Sequence, residues 1–134
     1  MVPLVSIYVG GILTLLMAVF HTRFYGMFNW ANAFGKVGVR DARVLYTVHL
    51  ALLLLFFAIG AISIVYAGEL GPSVGLAFGL NVLLCAFWTW RLVWQFTYFK
   101  SAKGRKRPVI SVVLIIAFFL LATAYLIPPV WRFL

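Results

Sequence analysis

Residues 44–66 read VLYTVHLALLLLFFAIGAISIVY, an apolar run without a single Lys, Arg, Asp or Glu. About 20 mostly apolar residues suffice for a helix to cross a hydrocarbon core of roughly 30 Å, so this run alone predicts a transmembrane helix. Working outward, three further segments meet the same test: Val2 to Phe20, Val74 to about Trp94, and Val109 to Ile127. Prolines mark their ends. Pro3, Pro72, Pro108 and the Pro128-Pro129 pair all fall at boundaries, where a missing N–H costs little. The predicted fold class is all-α: a four-transmembrane-helix bundle with spans at about 2–20, 44–66, 74–94 and 109–127, forming one integral membrane domain over residues 1–134.

Composition excludes the ordinary alternatives. Hydrophobic residues make up 66% of the chain and charged residues 10%, against roughly 45–50% and 25% in soluble domains. A net charge of +9 would point to nucleic acid in a soluble protein. Here the basic residues gather in two short loops, so the charge is a topology signal and no nucleic-acid partner is expected. The single cysteine, Cys85, lies in an apolar run, which excludes an intramolecular disulfide, a zinc cluster and a CxxC redox motif.

Orientation follows from the loops. The first, Thr22 to Arg43, carries Arg23, Lys36, Arg40 and Arg43; the third carries Lys100, Lys103, Arg105, Lys106 and Arg107. The second, between Tyr66 and Val74, holds only Glu69. By the positive-inside rule the first and third loops are expected to be cytoplasmic and both termini outside, which in a bacterial source is the periplasm. The segment MVPLVSIYVGGILTLLMAVF has no basic n-region and no small-x-small cleavage site, so it reads as a retained first helix.

The first loop is too aromatic to lie free in water. Phe24, Met27, Phe28, Ala31 and Phe34 share one face at helical spacing while Asn29, Asn32 and Lys36 fall opposite, which predicts an amphipathic interfacial segment closed by Gly35 and Gly38. Phe28, Asn29 and Trp30 are its candidate interfacial residues, and Trp30 and Tyr25 suit the headgroup layer. The basic cluster from Lys103 to Arg107 reads first as a topology determinant that also attracts anionic lipid.

Polar side chains within hydrocarbon are costly and generally face the bundle interior, so they are the best pointers to a site. On the third helix Asn81, Cys85, Trp88, Arg91 and Gln95 form one inward stripe, and Asn81, Trp88, Arg91 and Gln95 are candidates for binding a ligand or lipid headgroup. Arg91 either snorkels to the inner interface or takes a partner there, such as Asp41, Gln95 or a lipid phosphate. His21 ends the first helix and His49 lies early in the second, at one depth, on stripes that also carry Gly10, Thr14 and Met17, and Leu53, Phe56, Gly60 and Ser63. Two such histidines are the minimum for a bis-His haem b. Met17 and Leu53 lie one turn away and no glycine opens room there, so the spacing favours a hydrogen-bonded histidine pair over a cofactor. Gly71, Gly75 and Gly79 form a G-x-x-x-G-x-x-x-G run, which places Gly75 and Gly79 in a helix contact, within the bundle or between subunits.

There is no HExxH, no GxSxG, no pair of intramembrane carboxylates, no histidine box and no phosphate loop, so the reading leans away from an enzyme. His21, then Phe28-Asn29-Trp30, an arginine before His49, then Phe87-Trp88 with Arg91 and Gln95-Phe96 together resemble a group of small bacterial four-span inner-membrane proteins of unknown function. The resemblance implies a bacterial cytoplasmic-membrane location and brings no activity with it. The function expected is a non-enzymatic accessory protein or complex subunit that binds membrane lipid, another membrane protein or its own copy. The alternatives are a haem b or other redox module on His21 and His49, and a lipid-active enzyme or carrier with an arginine headgroup site.

Overall fold

The computed structural model describes residues 1–23, 26, 29–98 and 108–134. The described residues form helices α1 (Val2–Thr22), α2 (Trp30–Gly35), α3 (Val39–Val65), α4 (Ala67–Leu70), α5 (Leu76–Thr97) and α6 (Val109–Trp131). Four of them, α1, α3, α5 and α6, are long and apolar enough to cross a membrane. The chain is a polytopic membrane protein built as a four-helix bundle.

Three features depart most from the sequence expectation. Helix α3 begins at Val39, because Gly38 is an extended N-cap and Asp41 sits in the first turn, where an acidic side chain favours the helix N-terminus. Hydropathy marks only the apolar part of a helix, so this polar first turn was invisible to it. Helix α6 runs through Pro128 and Pro129, both buried, to Trp131. Membrane helices tolerate prolines where neighbouring structure packs around the freed carbonyls. The third difference is α4, a single turn in the second loop whose Ala67 and Leu70 are buried.

Around the bundle the order is α3, α1, α6, α5, with α1 packed between α3 and α6, and α5 against α6. The core is formed by Ile7, Met17, Phe56, Leu84, Trp88, Phe118, Leu121 and Tyr125. Leu16, Leu54, Leu83, Ile116 and Phe119 point outward and are more than half exposed, a coat suited to hydrocarbon and not to water.

Close backbone approach is confined to a few glycines. A Cβ on Gly11 would stand 2.9 Å from Ile64 and 3.2 Å from the Gly60 carbonyl; one on Gly60 would stand 2.6 Å from Leu15. The α1–α3 crossing therefore requires both glycines. Within the bundle Gly75 and Gly79 make no helix contact, since among the described residues nothing lies within 4 Å of a Cβ at either; of the expectation drawn from their spacing, the contact between copies is what remains. Gly79 lies two residues from the inward-facing Asn81, about 200° around the axis at 3.6 residues per turn, so its face of α5 turns away from the bundle. Gly75 serves instead as the N-cap of α5 with φ +56°, a conformation glycine adopts freely.

Candidate functional site

The two ends of the bundle carry different chemistry. The end with the chain termini holds α4 and Glu69. The opposite end holds Arg23, Lys36, Arg40 and Arg43 and is called the basic end below.

At the basic end of α1, His21 is buried and its Nδ1 lies 2.9 Å from the Met17 carbonyl one turn back. A carbonyl only accepts, so Nδ1 carries the proton in this bond. His49 projects from α3, half-buried, with its ring centroid 6.2 Å from that of His21 and the ring planes 22° apart. The edge of Phe56 packs on His21 at 5.0 Å.

Helix α2 roofs the pair from the side. Its N-cap Asn29 adopts φ 50°, a left-handed conformation asparagine tolerates better than most residues. Trp30 stacks on Phe34 at 5.2 Å and meets His49 edge-on at 4.8 Å, while Phe34 packs on Tyr46 at 4.7 Å. The loop is thus fastened to α3 by rings at i and i+4. Phe28, Phe24, Tyr25 and Met27 lie outside the described residues, as do Lys100 and Lys103 to Arg107.

From the other side α5 supplies Phe87, Trp88 and Arg91. The Arg91 guanidinium sits 4.8 Å over the Phe118 ring and 5.7 Å from that of Trp90, both within cation–π range. Helices α3 and α5 are joined at the terminal end through α4, and at mid-depth they meet through Phe56, Phe87 and Trp88. Toward the basic end a cleft of about 440 Å³ lies between them, in which His21 and Arg91 are the polar residues among Leu52 and aromatic walls. The only acidic side chains of the chain, Asp41 and Glu69, do not line it. The indole N–H of Trp88, fully buried in the wall, has no acceptor among the described residues. A second hollow of about 340 Å³ is bounded by His21, His49, Trp30 and Phe34, and Leu52 and His21 stand between the two.

The structure therefore brings His21, His49, Trp30, Trp88 and Arg91 into one neighbourhood. It places Gln95 and Asn81 elsewhere. Gln95 is buried and its Nε2 donates to Ser111 Oγ at 3.1 Å, tying α5 to α6. Asn81 lies ten residues before Arg91, about 15 Å along the helix, and its Nδ2 donates to the Leu70 carbonyl at 2.9 Å and to Ser73 Oγ at 3.1 Å. It clamps the α4 turn onto α5. Its Oδ1 has no donor among the described residues.

Sequence reasoning placed α6 as a span but missed what its side chains contribute. Ser111, Phe118 and Tyr125 recur every seven residues on one buried face. They hold Gln95, underlie Arg91, and hydrogen-bond Ser63, whose Oγ is 2.7 Å from the Tyr125 hydroxyl. The seven-residue spacing was the available signal. Among the described residues no group of three His, Cys, Asp or Glu is placed to hold a metal ion. No family model, curated protein or solved structure matches this chain.

Proposed function

We propose that this chain is a non-enzymatic multi-pass protein, an accessory or subunit of a membrane complex, that binds an anionic amphiphile in the cleft between α3 and α5. The observation that carries this reading is one guanidinium, Arg91, in an aromatic-walled cleft that no carboxylate lines. An arginine at membrane depth is costly, by roughly 2.5–3.5 kcal/mol on insertion scales, and a ligand carboxylate or phosphate offsets that cost while its apolar part fills the cleft. In the topology we propose, the basic end faces the cytoplasm of a bacterial cell and the termini face outward, following the charge of the loops. The cleft then opens at the inner leaflet, where anionic headgroups are attracted to the same basic residues.

Native mass spectrometry of the detergent-purified chain with phosphatidylglycerol and phosphatidylcholine tests this. The wild type should retain the anionic lipid preferentially, and Arg91→Gln should remove the preference. Equal retention of both lipids by the wild type, or an unchanged preference in Arg91→Gln, overturns the assignment.

A further inference from the structure

We propose that the amphiphile of the cleft is an aryl acid, a flat aromatic ring carrying a carboxylate, with the acid on the Arg91 guanidinium and the ring against the Phe and Trp faces of the wall. This rests on the anionic-amphiphile reading above and names the ligand class. The first argument is a contrast between hollows of one molecule. Six of the nine residues that line the cleft are Phe or Trp. The two hollows between α1 and α6, about 480 and 380 Å³, are lined instead by aliphatic side chains such as Leu13, Leu16, Val113 and Leu120, with Phe20 the one ring among them. A saturated acyl chain gains burial on either kind of wall, whereas a ring gains further from offset or edge contact with other rings. The chains of the bilayer suit the α1–α6 hollows, and what sets the cleft apart is what it offers a ring.

The second argument is a row of rings leading into the cleft. Along α5, Phe87, Trp90, Trp94 and Tyr98 follow at steps of three and four residues, with centroids 6.0, 5.7 and 4.9 Å apart. These spacings lie within the range of about 4.5–7 Å that favours ring pairs. Trp90, Trp94 and Tyr98 are exposed, so a ring approaching from the basic end meets uncovered faces at a spacing already built. The third argument is the polar lining. The side chains of the cleft supply donors, the Arg91 guanidinium and the Trp88 indole N–H, and none of them is a carboxylate, amide or hydroxyl. The Trp88 N–H is buried without an acceptor among the described residues. A wall of donors fits a head that only accepts, as an ionised carboxylate does. The guanidinium stands 4.8 Å over Phe118 and 5.7 Å from Trp90, so a carboxylate joined directly to a ring brings acid to the arginine and a flat face to its neighbours together.

The test is competition on the detergent-purified full chain between p-nonylbenzoate and palmitate, which have equal charge and equal carbon number, read by native mass spectrometry and tryptophan fluorescence. Two ring contacts of the usual strength correspond to about tenfold, so the wild type should hold the aryl acid about tenfold more tightly. Phe87→Leu and Trp90→Leu exchange a ring for an aliphatic side chain, and each should cut that ratio at least about threefold. Arg91→Gln should weaken both acids. Thermal melting of each variant separates lost binding from lost fold, and should the leucine variants misfold the wild-type ratio decides. Equal affinity for the two acids in the wild type overturns the aryl acid, as does an undiminished ratio in both folded leucine variants. A wild type that binds neither acid overturns it as well. In each of these cases Arg91-dependent retention of phosphatidylglycerol leaves the broader reading standing, and its loss overturns the two together.

Discussion

The terminal half of the bundle and its basic half are built on opposite plans. In the terminal half small residues let helices touch, as at Gly11 and Gly60, and hydroxyls close on one another. The Tyr125 hydroxyl is 2.7 Å from Ser63 Oγ and 3.5 Å from Thr14 Oγ1, while Thr14 also donates to the Gly10 carbonyl at 2.7 Å. Three helices meet there with their polar atoms paired. In the basic half large aromatic rings keep α3 and α5 apart, and the polar groups, His21, His49 and Arg91, border open space. Dense packing with internal hydrogen bonds fixes a fold, whereas polar groups beside a hollow give a ligand both room and a surface to bind. The comparison assigns stability to one half and binding to the other.

The largest effect expected from breaking this division is at the α1–α3 crossing. Gly11→Leu drives a side chain into Ile64, Ser63 and the Gly60 carbonyl, and should destabilise the protein by about 3 kcal/mol or more, since backbone and not only side chains must move. Thermal unfolding in mild detergent measures it; a wild-type midpoint would mean that the crossing is not as close as described.

A smaller loss is expected from Tyr125→Phe, which deletes the hydroxyl shared by Ser63 and Thr14 and keeps the ring. Hydrogen bonds between membrane helices average about 0.6 kcal/mol and reach about 1.7, so a destabilisation near 1 kcal/mol is the expectation. The variant should leave anionic-lipid preference untouched, because the hydroxyl lies away from the cleft. A parallel loss of that preference would show that the two halves are coupled.

The smallest effect sharpens the comparison from outside the bundle. Gly79→Leu adds a side chain where no atom lies within 4 Å and should change stability by less than about 0.5 kcal/mol. Size-exclusion chromatography with light scattering supplies the second readout: a drop in oligomeric mass would identify this face as a contact between copies, and unchanged mass would leave it facing lipid.

The amino-acid sequence by itself determined that the chain is all-helical and crosses the membrane four times, because crossing is a property of local composition: about 20 apolar residues satisfy it wherever their neighbours lie. It also determined which face of α5 turns inward, since Asn81 and Gln95 are too polar to leave in hydrocarbon, and both are buried. Local composition does not encode which helix stands opposite. That is why the G-x-x-x-G spacing pointed at Gly75 and Gly79 while the close crossing belongs to Gly11 and Gly60, and why one stripe of polar residues was read as one site. Only the tertiary structure separated that stripe, handing Asn81 to the α4 turn, Gln95 to Ser111 and Arg91 to the cleft. It did so because a side chain some 6 Å long can reach only the neighbour that the packing order α3, α1, α6, α5 sets beside it, and that order is fixed by contacts between residues far apart in the chain.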